Sequence, residues 1–184
     1  MELVRPAREH LPSYVAALRR GWSPDHLRPE VADEELARIE ADAEGFLASL
    51  ENIAGGGTVT LPDGSQAQRL PGYRRWMWDG EFVGSINLRW QPGMPALPPH
   101  MLGHIGYAVV PWKSGRGHAT RALGLLLSDA RASSLPWVEL TCDADNAASR
   151  RVIEANGGTW VEDFSKPAAF GGKASVRYRI VLTP

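Results

Sequence analysis

The chain reads as an α/β protein, a single domain of residues 1–184 on a mixed, mainly antiparallel sheet. Three features predict this. Hairpin signals join successive strands in the first half. At residues 109–130 an apolar strand passes through a glycine loop directly into an amphipathic helix. A last helix, opened by Asn146 and closed by Asn156-Gly157-Gly158, stands between further strands. The length suits one domain with a sizeable core.

In chain order, a short strand near Glu2–Arg5 precedes a helix with the stripe Leu11, Tyr14, Val15, Leu18. Pro24 and Pro29 break the path to a second helix carrying Leu36, Ile39, Phe46, Leu47 and Leu50, which Gly55-Gly56-Gly57 ends. Thr58–Leu61 and Gln66–Leu70 flank Pro62-Asp63-Gly64 as one hairpin. Arg74–Trp78 meets Glu81–Trp90 across Asp79-Gly80 as another. In its second strand Phe82, Ile86, Leu88 and Trp90 oppose Ser85, Asn87 and Arg89. Trp76 and Trp78 read as sheet-face packing. The connector Gln91–Gly103 holds four prolines and is expected to be an ordered loop or lid. Strands follow at His104–Pro111, Trp137–Asp143, Thr159–Phe164 and Ser175–Leu182.

Composition excludes some functions. Apolar residues at 43% and charged residues at 22% are ordinary for a globular protein. A net charge of −1 gives no electrostatic case for nucleic acid or an anionic membrane. The N-terminus reaches Arg5 and Pro6 before a signal-like core can build, and no stretch has membrane-spanning length. The lone Cys142 alternates with Val138 and Leu140, so it reads as a buried small hydrophobe in a cytoplasmic protein.

The strongest chemical signal is Val109-Val110-Pro111-Trp112-Lys113-Ser114-Gly115-Arg116-Gly117-His118-Ala119-Thr120. Free backbone N–H groups and the positive end of a helix dipole face the turn, so a pyrophosphate is its default ligand. A Walker loop would need a Gly-Lys-Ser/Thr ending, which is absent. A dinucleotide site would follow βα units, whereas hairpins precede this loop.

With Val138-Glu139-Leu140-Thr141, Asn146-Ala147-Ala148-Ser149 and Glu154-Ala155-Asn156-Gly157-Gly158 in order behind it, the loop resembles the GNAT family of acetyl-CoA-dependent N-acetyltransferases. The likeness spans about residues 74–164 and is greatest for the branch whose last helix opens Asn-x-x-Ser, which includes ribosomal-protein N-terminal acetyltransferases. It implies the acyl-CoA N-acyltransferase fold, with splayed central strands, and acetyl-CoA as co-substrate without a metal. Val109 and Val110 would border the pantetheine arm. Gly115, Gly117, His118, Ala119 and Thr120 would cradle the pyrophosphate. Ser114 stands where the family loop begins with a basic residue, and Lys113 and Arg116 would supply the missing charge. Asn146 would contact the pantetheine, although a plain N-cap is equally compatible.

For the chemistry, the tyrosine many relatives carry is replaced by Ile153, and Ser149 resembles the serine that hydrogen-bonds the coenzyme sulfur. His104 is the first candidate base, with Glu139 and Asp143 as alternatives that would otherwise pair with arginine, and His100 and Tyr107 as weaker ones. The expected reaction is direct acetyl transfer to a primary amine. A non-catalytic acyl-CoA-binding module of the same fold is the alternative, and a nucleotide-dependent enzyme the second. A homodimer fits the family, though no residue demands it.

Overall fold

The computed structural model describes residues 1–61, 64–131 and 135–182. Strand β1 (Glu2–Val4) leads through a 3-10 turn into α1 (Leu11–Arg19), which buries Leu11, Tyr14, Ala17 and Leu18. The predicted second helix is in fact two, α2 (Val31–Ala41) and α3 (Ala43–Ser49). Asp42 causes the break. Its extended backbone (φ −156°, ψ 92°) lets its carboxylate accept the Gly45 N–H at 2.9 Å, so the side chain caps α3 where it would have interrupted a longer helix.

Strand β2 (Glu51–Asn52) is followed by a separate two-stranded ribbon, β3 (Thr58–Thr60) with β4 (Gln66–Gln68). Pro62 and Asp63, at its predicted turn, lie outside the described residues. The second hairpin forms as expected from β5 (Gly72–Trp78) and β6 (Phe82–Arg89). Gly80 takes φ +105° at its turn, a conformation that costs other residues energy. Strand β7 (Ile105–Val109) pairs with β6, while β1 and β2 share the opposite edge of β5. The connector between β6 and β7 carries only an isolated Gln91–Met94 bridge.

The glycine loop leads into α4 (His118–Arg131), then β8 (Trp137–Asp143) and α5 (Ala147–Glu154). Strands β9 (Thr159–Ser165) and β10 (Ala174–Val181) complete a second sheet in the order β8-β10-β9. Every ladder among the described residues is antiparallel.

Each face of the first sheet has its own core. On one, Met77, Val83, Ile86, Leu88 and Ile105 meet Leu123, Leu126 and Leu127 of α4 and the inner face of the second sheet. On the other, Trp76 is fully buried under α1–α3 and stacks on Tyr14 at 4.3 Å, in keeping with its packing role. Further along that face the apolar surface gives way to Arg74, Asn87 and Arg89.

The two sheets meet at His104. Its N–H donates to the Glu139 carbonyl at 2.7 Å, and its Nδ1 accepts the Glu139 N–H at 3.0 Å. Beyond this point no ladder joins β7 to β8, so the strands part and leave the cleft expected between them. No helix among the described residues is long and apolar enough to cross a membrane.

Candidate active site

The parted strands enclose a cavity of about 630 Å³, lined by Val109 on one side and by Thr141, Cys142 and Asp143 on the other. The glycine loop and the start of α5 form its ends. Gly115 and Gly117 both take φ +76°, a region other residues enter only with strain. The Gly117 carbonyl accepts the Arg121 N–H at 3.0 Å, which makes Gly117 the N-cap of α4. The N–H groups of His118, Ala119 and Thr120 then fall in the first helical turn, with no carbonyl one turn back to receive them. All three residues line the cavity with Ser114, Gly115 and Gly117. His118 adds a buried Nε2 that has no hydrogen-bond partner among the described residues. Such an arrangement suits a diphosphate.

Three members of the expected coenzyme set are placed differently. Lys113 borders the cavity, but its ammonium is bound by Asp79 at 2.6 Å and Glu81 at 2.7 Å. Its charge is therefore already met. Val110 is fully buried among α1–α3 residues and does not line the cavity; its N–H goes to Val83 O at 2.9 Å. Arg116 is exposed on the loop and is not part of the cavity wall either. Because backbone direction alternates along an antiparallel strand, the Val110 bond to β6 turns the Val109 N–H toward the open edge facing β8.

At the other end, Asn146 caps α5 by accepting the Ser149 N–H at 3.0 Å and also lines the cavity, so the two readings of this residue coexist. Ser149 Oγ lies 2.8 Å from the Tyr107 hydroxyl. Burial pushes the Tyr107 phenol up to about 12, so it stays protonated at neutral pH. Tyr107 was only a weak candidate in sequence, because strand alternation reveals its face but not what an α5 residue does above it. Ile153, where relatives carry a tyrosine, is fully buried in the core. The phenol reaches Ser149 from β7 instead. Arg151 of α5 also lines the cavity and was not foreseen.

The expected bases fare less well. His104 is fully buried, with Nδ1 occupied by Glu139 N–H and Nε2 3.0 Å from Pro95 O. With Nδ1 accepting, Nε2 must donate, so neither nitrogen is free to take a proton. Burial holds the ring below its ordinary value. Glu139 is claimed by Arg179 at 2.6 Å and Arg177 at 3.0 Å, the arginine pairing left open by the sequence. Asp143 does line the cavity, but Lys166 and Lys173 bind its carboxylate and hold it below the usual carboxylate range. Cys142 is buried in the core, and burial pushes its thiol up. Among the described residues no cluster of His, Cys, Asp and Glu is placed to hold a metal.

A second cavity, of about 520 Å³, lies on the far side of Tyr107. The two share His26, Tyr107, Ala108, Thr141, Ser149 and Lys166 as a common wall. Residues 1–159 match a family described as the acetyltransferase (GNAT) domain. The chain belongs to the GNAT family.

It is accordingly an acetyl-CoA-dependent acetyltransferase. Solved structures with the same fold include the ribosomal L7/L12 alpha-N-protein acetyltransferase RimL in complex with coenzyme A. RimL is 15% identical with a TM-score of 0.64, over 97% of this chain and 92% of that one. Another is the microcin C7 self-immunity acetyltransferase MccE in complex with acetyl-CoA and AMP. MccE is 14% identical with a TM-score of 0.60, over 97% of this chain and 91% of that one. No curated protein matches the sequence.

Proposed function

We propose that this GNAT protein transfers the acetyl group of acetyl-CoA to a primary amine by direct attack, with both substrates bound at once. The observation that carries this is the common wall. It lets a thioester lie in one cavity while an amine approaches from the other. The amine nitrogen forms the new bond to the carbonyl carbon, the carbon–sulfur bond breaks, and the sulfur leaves as a thiol. Val109 N–H is turned toward the cleft to stabilise charge on the carbonyl oxygen. The Tyr107–Ser149 pair donates to the departing sulfur, with Tyr107 as proton source and Ser149 as its hydrogen-bond relay. His26, from the loop between α1 and α2, lines both cavities and accepts the amine proton directly or through water.

Direct transfer is favoured over an acetyl-cysteine route because the raised Cys142 thiol is a poor nucleophile. The non-catalytic alternative draws on the missing tyrosine and on the missing basic residue at the start of the glycine loop, which Lys113, paired with Asp79 and Glu81, does not replace. Tyr107 offers a phenol from strand β7 in place of one on the last helix. We further propose that residues 1–184 act as one domain in the cytoplasm, with the amine acceptor as partner and no role for nucleic acid or membrane.

The test is ligand-selective stabilisation followed by turnover. Acetyl-CoA is expected to raise the melting temperature where NAD and ATP do not. Thiol release and mass spectrometry on an amine panel should then detect acetylated product, and His26→Ala should cut kcat about 100-fold. Equal stabilisation by NAD and ATP, or stabilisation by acetyl-CoA with no product from any amine, would refute the proposal.

A further inference from the structure

Beyond Tyr107 the acceptor cavity is floored by the polar stretch of the first sheet. Ser85, Asn87 and Arg89 alternate along β6, with Arg74 opposite Asn87 on β5 and Gly106 opposite it on β7. A floor of this kind under helices and loops would ordinarily be apolar. Here it holds cations.

Four cations line the cavity, and three are answered by carboxylates. Arg28 is paired with Glu30 and Glu34, Lys166 with Asp143, and Arg74 with Glu35 at 3.0 Å. Arg89 has no carboxylate within ion-pair distance among the described residues. Its guanidinium makes one side-chain hydrogen bond, to Asn87 Oδ1 at 3.1 Å, a neutral acceptor that also receives the Gly106 N–H at 2.8 Å. Burial, with Arg74 beside it, pushes Arg89 below the ordinary guanidinium value. Since arginine does not deprotonate in practice, the charge remains there at an electrostatic cost.

A smaller cavity of about 260 Å³ opens from the same residues. It shares Arg74, Asn87, Arg89 and His100 with the acceptor cavity, adds Arg69, and has no Asp or Glu in its lining. His100 Nε2 is buried and hydrogen-bonds to nothing among the described residues. An unanswered guanidinium and an unpaired imidazole nitrogen thus border both cavities; the smaller has no acid in its wall, and the acceptor cavity carries Asp25 and the Arg28-paired Glu34.

The position is also measurable along the strand. An Arg89 Nη lies 3.7 Å from where a Cβ on Gly106 would stand. Gly106 is two residues from Ala108 on the common wall, which is about 7 Å of strand rise. We propose that Arg89, with His100 beside it, forms an oxyanion subsite that selects amine acceptors carrying a carboxylate or phosphate about 7 Å from the amine. The inference rests on acetyl transfer for its biological sense, but the binding it asserts does not.

Calorimetry on protein saturated with coenzyme A, which cannot react, reads the subsite alone. The probes are matched pairs: δ-aminovalerate against n-butylamine, an aminoalkyl phosphate against its alcohol, and a Ser-Asp peptide amide against Ser-Asn. In at least one pair the acidic member should bind about 30-fold more tightly, and the pair that responds identifies the source of the oxyanion. Arg89→Gln should reduce that ratio to about threefold or less, with coenzyme A affinity retained as the folding control. Asn87→Asp is the second arm, since it supplies from within the carboxylate that Arg89 lacks. It should raise the melting temperature and remove the preference. Equal binding of acidic and neutral members, or a preference that survives both substitutions, overturns the subsite. Selective binding without turnover would leave the subsite standing and overturn acetyl transfer.

Discussion

A partly buried phenol and a serine hydroxyl 2.8 Å apart would share one task in the proposed reaction, β7 bringing the proton and α5 the relay. Either hydroxyl alone is a poor acid in water, yet the acceptor of their proton is a thiolate formed within the cleft. Tyr107→Phe is expected to lower kcat about 100-fold with little change in KM for acetyl-CoA, and Ser149→Ala about tenfold. Because the two act as a unit, the double variant should fall close to Tyr107→Phe alone, in steady-state kinetics at saturating substrates. Multiplicative losses would mean that they act independently. Ser149 was legible through family likeness, as the serine of the Asn-x-x-Ser opening of the last helix. Tyr107 was less visible because its value comes from a residue 42 positions away. The same reason defeated His104. Its spacing before the glycine loop suited a base, but the two groups that occupy its nitrogens, Pro95 O and Glu139 N–H, come from a loop and from another sheet.

At the level of elements, local chemistry was the reliable guide. Asp79-Gly80 forms the expected hairpin, the Gly115–Gly117 loop leads into α4, and Asn146 caps α5. One helix was expected where two form, because the apolar stripe from Leu36 to Leu50 runs across Asp42, whose carboxylate serves as a cap. The proposed coenzyme contacts follow the same division. Glycines with positive φ were readable, but the fate of Lys113 depended on Asp79 and Glu81, which only the pairing of strands brings near. Gly117→Ala tests the loop as an element. A Cβ at φ +76° meets no atom within 4 Å, so the penalty is backbone strain, about 1 kcal/mol in urea unfolding. KM for acetyl-CoA should rise about fivefold or more, with the amine KM unchanged, as the amides at the helix start lose their aim. An unchanged KM would remove the loop from coenzyme binding.

Across the whole molecule, two sheets are fastened at one end and parted at the other, and His104 is the fastening. His104→Ala removes an acceptor from Glu139 N–H and leaves a void, so stability should fall by about 3 kcal/mol while kcat of the folded enzyme is retained. A pH dependence goes with it. The folded ring sits below its ordinary value, so the unfolded chain takes up the proton first. The stability tied to neutral His104 is present above about pH 6.5 and is lost as pH falls from there through the lower folded value. Urea midpoints at pH 8 and below 6 should therefore drop further for wild type than for His104→Ala; equal drops would contradict a neutral buried ring. The fold class was readable because hairpins and caps are local. The break between the sheets was inferred through family likeness, since no run of residues spells out where two strands stop pairing.

Lys113 carries one more implication. Asp79 and Glu81 moor it from the tip of the neighbouring hairpin, so the turn proposed to grip the coenzyme is anchored outside its own helix. With that ammonium neutralised in advance, attraction at this bend is directional more than ionic. Loading then demands little rearrangement of the turn, and added salt should loosen its hold on the diphosphate only modestly.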